Sequence, residues 1–405
     1  MTHDPRIDPL LAHPWTLALR AARESQQVHL VGGAIRDACL RSSRPADLDI
    51  TVDRRATELA RRLADHVHAR LVVLGRKEHA ALRLIPADSS FGELDIWDRE
   101  GGTLRADLER RDFTIHALAV DIVTGQIVDP FSGLDDLERR VLRDTTAQTL
   151  FADPQRTVRL VRLAAQLFDF SIEPGTRRRA EEASNLLDRV ASERIAVELS
   201  RWTRQVRFDL GADVMAGLPP FAGIHPALDD LTRLRRLFDL HPEAQPEKRA
   251  EAVWSTIHRR APAAFRGWLD RGWVAPEVAR AVGRHRAAGA IPADEPERRE
   301  WIARLGRDWS TAARAELAAS EPAMASEVLA TLTASAGDAS LFTVRGLITG
   351  EDLRNVGVPP GPTLGALLAD LRRLEIRGEL SDREEALRLA GERWRRTTSA
   401  TSGAD

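Results

Sequence analysis

The chain has 405 residues, and at about 150 residues per domain this length favours roughly two to four folded units. Its net charge of −2 excludes a protein whose overall field attracts nucleic acid, so phosphate binding would need local clusters of arginine. The one cysteine, Cys39, excludes a disulfide framework and a thiolate metal site within the chain, and it fits a reducing cytoplasm. No apolar run approaches the roughly 20 residues that span a bilayer, and residues 1–9 lack a signal core, so we expect no membrane association.

Residues up to about 145 alternate between helical and strand patterns. An apolar run ends in Gly32-Gly33, which is typical of a strand that meets a tight turn. The segment 47–52 alternates polar and apolar residues, which is the period of a strand. The strands predicted in this region are 28–31, 47–52, 70–74, 80–85, 93–97 and 141–142, with a hairpin over 121–128 that turns at Thr124-Gly125. The helices predicted here are 14–24, 34–40, 55–68, 113–120 and 134–140.

After residue 145 the strand signal largely stops and helical periodicity takes over. Helices are predicted at 154–168, 180–187 and 193–207, and further helices follow between loops that are rich in Pro and Gly. The residues after Thr397 are small and polar, and we expect them to be disordered. The chain is therefore predicted to have an α+β organisation, with a mixed unit at about 26–145 and an all-α remainder.

Asp47 and Asp49 occupy alternate positions of one predicted strand. Alternation directs both carboxylates to one face while Leu48 and Ile50 enter the core. Two carboxylates on one face repel each other unless a cation neutralises them, and oxygen ligands on a rigid strand suit Mg²⁺. The two residues alone also allow a solvated strand face with no metal. The preceding turn favours the metal site, because glycines let the backbone approach phosphate oxygens and Arg36 adds positive charge in the next helix.

A third carboxylate is available on a later strand of the same region. By alternation, Glu93, Asp95 and Trp97 share one face of that strand. Asp95 beside Asp47 and Asp49 would complete a cluster for two metal ions, which would activate an attacking hydroxyl and stabilise a leaving pyrophosphate. An ordinary exposed strand acid is the alternative that the pattern leaves open.

Several sequence blocks resemble one known family. The segment LVGGAIRD at 30–37, followed by DLD at 47–49, resembles the signature of the class II tRNA nucleotidyltransferase and bacterial poly(A) polymerase family. Four further blocks match that family in order, namely RRDFTI at 110–115, VDPFSG at 128–133, DPQRTVRLVR at 153–162 and SERIAVEL at 192–199. The resemblance covers about residues 26–205.

The resemblance implies a fold and an activity. The fold would be a polymerase-β-type nucleotidyltransferase head with a small mixed sheet, followed by an all-α neck, body and tail. The activity would add C, and in some members the terminal A, from CTP and ATP to the tRNA 3′ end without a template, with Mg²⁺ on Asp47 and Asp49. The implied regions are an N-terminal helical segment at 1–25, a head at 26–145, a base-reading neck at 146–205, a tRNA-binding helical body and tail at 206–396, and a disordered end at 397–405.

The resemblance also assigns residues to the nucleotide. The implied catalytic acids are Asp47, Asp49 and Asp95. The implied nucleotide-binding residues are Gly32, Gly33, Arg36, Arg111, Asp112, His116, Asp153, Arg156, Arg159 and Arg162. The last four recur every three residues, so they fall on one side of the predicted helix. A solvated basic face is the alternative reading, notably for Arg162.

Asp153 and Arg156 have the chemistry to select bases. Cytosine and adenine both present an exocyclic amino donor beside a ring-nitrogen acceptor, whereas uracil and guanine present a carbonyl beside a ring N–H. A carboxylate accepts from the amino group, and an arginine donates to the ring nitrogen. The pair would therefore accept C and A and reject U and G, which is the role that the resemblance implies.

Three features depart from the family pattern. His116 stands where the family usually has Asn, and Ala152 stands where it usually has Glu. Only fourteen residues, 96–109, separate Asp95 from Arg110. Members that add all of C, C and A usually carry a longer flexible segment there, so the short connection resembles the CC-adding subgroup.

Two other functions stay open at this point. A poly(A) polymerase would share the head, although such polymerases commonly carry long basic tails and residues 397–405 are not basic. A catalytically silent RNA-binding relative is the third hypothesis. It is disfavoured by a set of intact residues, namely Asp47, Asp49, Arg111, Asp153 and Arg156. No His-Asp phosphohydrolase motif is visible in the helical region, so a fused hydrolase is not expected.

Overall fold

The computed structural model describes residues 4–40, 47–74, 81–88, 92–343 and 346–401, with side chains up to residue 396. Residues 41–46, between the predicted helix at 34–40 and the predicted strand at 47–52, and the chain end at 402–405 lie outside the described residues. The chain separates into two compact units. The first comprises Met1–Ala191 with Gly217–Pro220, and the second comprises Ser192–Ala216 with Phe221–Asp405. The finer division into head, neck and body remains a prediction.

The first unit contains the nine strands found among the described residues. They are β1 (Val28–Val31), β2 (Leu48–Val52), β3 (Ala69–Leu74), β4 (Ala81–Pro86), β5 (Leu94–Asp98), β6 (Ala119–Asp121), β7 (Ile127–Val128), β8 (Val141–Leu142) and β9 (Ser171–Ile172). Its helices are α1 (Asp8–Leu11), α2 (Pro14–Ala22), α3 (Gly33–Cys39), α4 (Ala56–Val67), α5 (Leu104–Glu109), α6 (Gly133–Glu138), α7 (Thr149–Ala152), α8 (Gln155–Gln166) and α9 (Pro174–Ser184).

Seven of the strands form one mixed sheet in the order β3-β4-β5-β2-β1-β6-β7. Within it β2 and β5 run parallel, and the other neighbouring strands are antiparallel. The remaining two strands, β8 and β9, form a separate parallel pair. The α+β fold class predicted from the sequence is confirmed.

Alternation along β2 and β5 sets the register of the sheet centre. Leu48 and Ile50 on β2 and Leu94 and Ile96 on β5 are at most 1% exposed, whereas the acids between them are half-buried. Full burial of such a side chain is worth roughly 1.5–3 kcal/mol. A slip of one residue would exchange the apolar side chains for acids in the core, so the register is strongly specified.

The helix predicted over 113–120 is wrong. Thr114–His116 forms a single 3-10 turn, and Ala119–Asp121 is β6, which pairs with both β1 and β7. Every residue from 113 to 120 is buried, so this run has no polar face from which a period could be read. Pairing with β1 decides its conformation. The predicted hairpin is present, but its first strand begins at Ala119 rather than at Asp121.

The second unit is helical throughout its described residues. Its helices are α10 (Ser192–Thr203), α11 (Phe208–Ala216), α12 (Leu228–Leu240), α13 (Pro246–Arg260), α14 (Pro262–Asp270), α15 (Pro276–Ala288), α16 (Glu295–Leu305), α17 (Trp309–Leu317), α18 (Pro322–Ala336), α19 (Gly350–Asn355), α20 (Pro362–Arg377) and α21 (Arg383–Thr401). One core surrounds Trp301 and Ile302, and a second surrounds Leu353 and Leu371. No helix among the described residues is long and apolar enough to cross a bilayer.

The last described helix enters the segment near the chain end. Helix α21 continues to Thr401, past the start of the segment 397–405 that the sequence predicts to be disordered. Ala386 and Ala390 anchor the start of this helix in the second core. Once a helix is anchored, each added residue gains a backbone hydrogen bond, so small polar residues can extend it.

Candidate active site

The acids of the predicted metal site lie at the centre of the sheet. Asp49 on β2 and Asp95 on β5 are paired neighbours in the parallel register. Asp47 lies just before β2, is exposed, and accepts a hydrogen bond from the backbone N–H of Glu93 at 2.9 Å. The register therefore places the third acid beside the first two, as expected for a carboxylate cluster.

Asp49 is the acid whose charge is least well solvated. Burial raises its pKa above the ordinary value; Arg111 opposes this rise, and the charges of Asp95 and Asp47 add to it. A carboxylate in this position gains from a nearby cation, because the cation offsets both the lost hydration and the repulsion.

Asp95 is held by an arginine that the sequence did not single out. Arg83 on β4 donates from Nε to Asp95 Oδ1 and from Nη2 to Asp95 Oδ2, both at 2.8 Å. Its Nη1 lies 2.7 Å from a carboxylate oxygen of Glu93. Alternation along β4 puts Arg83 on the same face as these acids, but the pairing of β4 with β5, which aligns Arg83 with Asp95, has no local sequence signal.

The strand register aligns Asp49 with Asp95, but within the described residues Asp47, Asp49 and Asp95 do not form a close set of metal ligands. Among the described residues, a set of three potential metal ligands with atoms mutually within 4.8 Å occurs at Glu251, His285 and Asp308, in the second unit. Asp47, Asp49 and Asp95 do not form such a set in the described part of the chain. Asp95 is engaged by Arg83 through both oxygens, and Asp47 is engaged by the backbone N–H of Glu93.

The set in the second unit already contains a cation. Lys248 Nζ lies 2.6 Å from Asp308 Oδ1 and 3.0 Å from Glu251 Oε2. The buried His285 forms a 2.8 Å hydrogen bond through Nδ1 with Ser255. The ammonium group supplies the charge that these acids require, so the set is an ion-pair cluster between helices. His285 therefore has a structural role between these helices.

Gly32 lies between two charged groups of the site. Its φ is +81°, and a Cβ built on it would lie 3.1 Å from both Asp49 Oδ2 and Arg111 Nη1. A side chain at this position would be strained by the backbone and would crowd both groups. Gly33 differs, because a Cβ there would meet only the end of the Arg36 side chain, at 3.6 Å or more.

Arg111 is fixed from two sides. Its guanidinium carbon lies 5.7 Å from the centre of the Trp97 ring, and its Nη2 lies 3.5 Å from Asp107 Oδ2. Its Nε is buried and has no hydrogen-bond partner among the described atoms. Because Arg111 is also one of the charges that lower the pKa of Asp49, it presents a positioned cation beside the acid cluster.

A buried network connects Arg36, His116, Asp112 and Arg159. Arg36 Nη1 lies 2.6 Å from His116 Nε2, and His116 Nδ1 lies 2.8 Å from Asp112 Oδ1. Arg159 on α8 donates to the other oxygen of Asp112 at 3.0 Å. A guanidinium can only donate, so His116 accepts at Nε2 and carries its proton on Nδ1, which donates to Asp112.

The charge states of this network follow from its contacts. Burial would by itself raise the pKa of Asp112, but His116 and Arg159 hold that pKa well below its usual range. Burial lowers the pKa of His116; Asp112 opposes this, and Arg36 adds to it. The network therefore contains an ionised Asp112, a neutral His116 and two arginines.

The predicted base-reading residues lie together at the start of α8. Asp153 has an extended backbone, with φ −140°, and precedes the helix rather than belonging to it. Arg156 Nε lies 3.8 Å from Asp153 Oδ2, and its terminal nitrogens donate to the carbonyl oxygens of Thr149 and Arg110. These two backbone contacts orient the guanidinium toward one edge of the Asp153 carboxylate. Arg162 instead donates to Gln166, within the helix.

Comparisons with known proteins show where this chain is similar to other sequences. Residues 28–143 match the poly(A) polymerase head domain. A CCA-adding enzyme of Enterococcus faecalis is 28% identical over 395 residues, which cover 89% of this chain and 90% of that enzyme. A CC-adding tRNA nucleotidyltransferase of Synechocystis is 39% identical over 175 residues, which cover 43% of this chain and 41% of that protein. The chain is therefore similar to a poly(A) polymerase head domain in its first unit and to a CCA-adding enzyme over most of its length.

The likeness in fold extends over nearly the whole chain. A solved structure of a CCA-adding enzyme with CTP matches with a TM-score of 0.72 at 23% identity, over 95% of this chain and 94% of that one. The likeness to two curated CC-adding relatives is more local, since the chain spans only 41% and 39% of their lengths.

The three departures from the family pattern have structural counterparts. His116 uses both ring nitrogens in the buried network, with two different partners. Ala152 is exposed at the end of α7. The connection between Asp95 and Arg110 is short because β5 ends at Asp98 and α5 occupies Leu104–Glu109, which leaves only 99–103 between them.

Proposed function

We propose that this protein transfers nucleotides from CTP to the 3′ end of tRNA without a nucleic-acid template. The observation that carries the proposal is the sheet register that aligns Asp49 with Asp95, while Gly32 lies between the Asp49 carboxylate and Arg111. Acid groups, a glycine backbone and a positioned arginine in one place are what a site for a metal-bound triphosphate requires.

The residues present fit a magnesium ion. The donors are all carboxylate oxygens, and burial leaves Asp49 short of positive charge. Asp47 and Asp49 would hold Mg²⁺, with Asp95 as the third acid of the site. When bound, the metal would activate the 3′ hydroxyl for attack on the α-phosphate and stabilise the pyrophosphate that leaves.

The arginines around the acids would bind the rest of the nucleotide. Arg111 would contact the triphosphate, because it is positioned by Trp97 and lies beside Asp49. Arg36 and Arg159 would hold triphosphate and ribose from the two ends of the His116–Asp112 network. The absence of a side chain on Gly32 would let phosphate oxygens approach the backbone.

Asp153 and Arg156 would select the base. An Asp153 oxygen would accept from the exocyclic amino group, and Arg156 would donate to the adjacent ring nitrogen, a pattern that cytosine and adenine share. The backbone carbonyls that hold Arg156 would keep its guanidinium in place without another base as a guide.

The short connection favours CC addition. Only residues 99–103 connect β5 with α5, whereas the family resemblance implies a longer flexible segment there in members that add all of C, C and A. We therefore propose that the protein adds two C residues and that a partner enzyme adds the terminal A. The head at 26–145 would bind CTP and metal, the neck at 146–205 would read the base, and the body and tail at 206–396 would hold tRNA. The cytoplasm is the proposed location, where tRNA, CTP and ATP are available.

One transfer assay tests the proposal. Purified protein is given a tRNA transcript that ends at the discriminator base, with Mg²⁺ and CTP alone, ATP alone, or both. Two additions with CTP and none further with ATP would support CC addition. A third addition that requires ATP would replace it with CCA addition, and long A tails would replace it with poly(A) synthesis. No incorporation under any condition would favour the silent RNA-binding relative.

A further inference from the structure

The third carboxylate of the head lies between a metal-site acid and an arginine. Strand β5 is bordered by β2 on one side and β4 on the other. In the register of these pairs, Asp95 faces Asp49 across one border and Arg83 across the other. Its two oxygens both accept from Arg83 at 2.8 Å. Asp95 therefore has a cation on the side opposite to the proposed metal.

Arg83 and a metal would compete for the same carboxylate. A bidentate arginine occupies one lone pair on each oxygen of a carboxylate, and its positive charge makes the remaining lone pairs weaker ligands for a second cation. With Arg83 in place, Asp47, Asp49 and Asp95 do not form a close ligand set among the described residues. A metal that bound Asp95 would weaken or replace at least one of the Arg83 contacts.

Arg83 would not be left without a partner by that exchange. Its Nη1 lies 2.7 Å from Glu93, and the side chain is 35% exposed, so both a second acid and water are available. Removing one partner from a buried ion pair is strongly unfavourable because the remaining charge is uncompensated. A partly exposed arginine with a second acid avoids that cost, so release of Asp95 is energetically accessible.

Glu93 contacts both Asp47 and Arg83. Its backbone N–H donates to Asp47 at 2.9 Å, while its carboxylate contacts Arg83. One residue therefore holds Asp47 in place and retains Arg83 when Asp95 leaves. No other described contact of Arg83 would have to change.

We propose that Arg83 is an internal counter-ion that competes with the divalent metal for Asp95. Arg83 holds the third carboxylate when no metal is bound, and it moves to Glu93 alone when the metal enters. Arg83 is thus a positioning residue that weakens metal binding in the absence of nucleotide. This inference rests on the proposed function, because the metal concerned is the one on Asp47 and Asp49.

The test measures metal binding to the full-length protein without tRNA or nucleotide. Mn²⁺ is the probe, and its dissociation constant is measured from the electron paramagnetic resonance signal of the free ion. Arg83→Gln should tighten Mn²⁺ binding by roughly three- to tenfold, the range expected when one charged hydrogen-bonded competitor is removed. Asp95→Asn should weaken binding. Arg83→Gln should have no further effect when combined with Asp95→Asn.

Two controls separate the exchange from a general effect of charge. Arg70→Gln removes an exposed arginine on β3, where it pairs with Ile85, and should leave the dissociation constant unchanged. The double variant is the second control. If Arg83→Gln tightens binding equally with and without the Asp95 carboxylate, only the local field has changed and the proposal is wrong. Unchanged or weaker binding by Arg83→Gln also overturns it.

Folding and function are checked separately. Thermal unfolding without metal should show a lower Tm for Arg83→Gln, and Mn²⁺ should raise that Tm by more than it raises the Tm of the original protein. Arg83→Lys, which keeps the charge but not the bidentate fork, should show an intermediate Mn²⁺ affinity. If C is transferred to tRNA but Arg83→Gln binds Mn²⁺ as tightly as the original protein does, the exchange is rejected and the proposed function is retained. If the variants show the expected Mn²⁺ affinities but no C is transferred to tRNA, the proposed function is rejected and the exchange is retained. If the protein does not bind Mn²⁺, both proposals are rejected.

Discussion

His116 accepts a hydrogen bond from Arg36 across 2.6 Å, between Nε2 and Nη1. The same ring donates from Nδ1 to Asp112, so one imidazole connects α3 with the carboxylate that also holds Arg159. The geometry requires a neutral ring, because a protonated His116 would place an N–H against the guanidinium. A residue that departs from the usual family pattern therefore determines how two of the proposed nucleotide-binding arginines are held.

Replacing His116 should change the pH dependence of stability. Burial lowers the pKa of His116 below its ordinary 6.5, so the unfolded chain binds the proton first as the pH falls. The free energy of unfolding therefore decreases as the pH falls from the ordinary pKa of 6.5 toward the lower pKa of the folded state. When the pH is lowered from about 7.5 to about 5.5, the Tm of His116→Asn should decrease by less than the Tm of the original protein.

The control for this experiment is His225→Asn, since His225 is exposed in the second unit. That variant should lose as much Tm on acidification as the original protein. Equal losses in all three proteins would show that His116 does not titrate in this range.

Asp49→Asn should separate stability from catalysis. The charged Asp49 is disfavoured by burial and by its neighbouring acids, so a neutral amide of the same shape should raise the Tm of the metal-free protein. Transfer of C to tRNA should fall by at least about a hundredfold, because a metal ligand is lost. Transfer of C and binding of tRNA are measured together in gel assays. Asp49→Asn should lose transfer but largely retain tRNA binding.

The matched control is Asp65→Asn on the exposed side of α4. It removes a carboxylate from the same unit without touching the site, so both assays should match the original protein. If Asp49→Asn transferred C at the original rate, the metal assignment would be refuted.

Gly32→Ala should damage the site more than its backbone strain explains. An alanine at the Gly32 backbone angles, φ +81° and ψ −147°, would enter a region that is nearly exclusive to glycine at a cost of roughly 1–3 kcal/mol, and its Cβ would also press on Asp49 and Arg111 at 3.1 Å. Gly102→Ala supplies the comparison, because Gly102 has φ +76° with open space around it. Chemical denaturation should show a loss of about 1–2 kcal/mol for Gly102→Ala and a greater loss for Gly32→Ala. Equal losses would argue against the crowding.

Asp153→Ala should relax the choice of base. Without the carboxylate, the amino group of cytosine loses a charged acceptor, which is worth about 1.5–3 kcal/mol. The preference for CTP over UTP should therefore fall by roughly tenfold to a hundredfold, as measured by competition of the four nucleotides on one tRNA transcript. Ala152→Ser changes the neighbouring exposed residue and should keep the original preference. A retained preference in Asp153→Ala would place base selection elsewhere.

Local patterns in the sequence predicted most of the first unit. An apolar run before Gly32-Gly33 predicted β1. Alternation predicted β2, and it placed Asp47, Asp49 and Asp95 outside the core. It failed at 113–120, where complete burial removes the polar face that reveals a period. It also missed Arg83, because nothing near Arg83 in the chain specifies that β4 pairs with β5.

The sequence by itself determined which chemical groups are available: the aspartates, the glycine turn, the arginines and the order of the family blocks. Only the tertiary structure decided how they meet. The parallel pairing of β2 with β5 aligned Asp49 with Asp95, and the antiparallel pairing of β4 with β5 gave Asp95 to Arg83. The physical reason is that side-chain alternation is a property of one strand, whereas the choice of neighbour and register depends on apolar surface buried by several strands together.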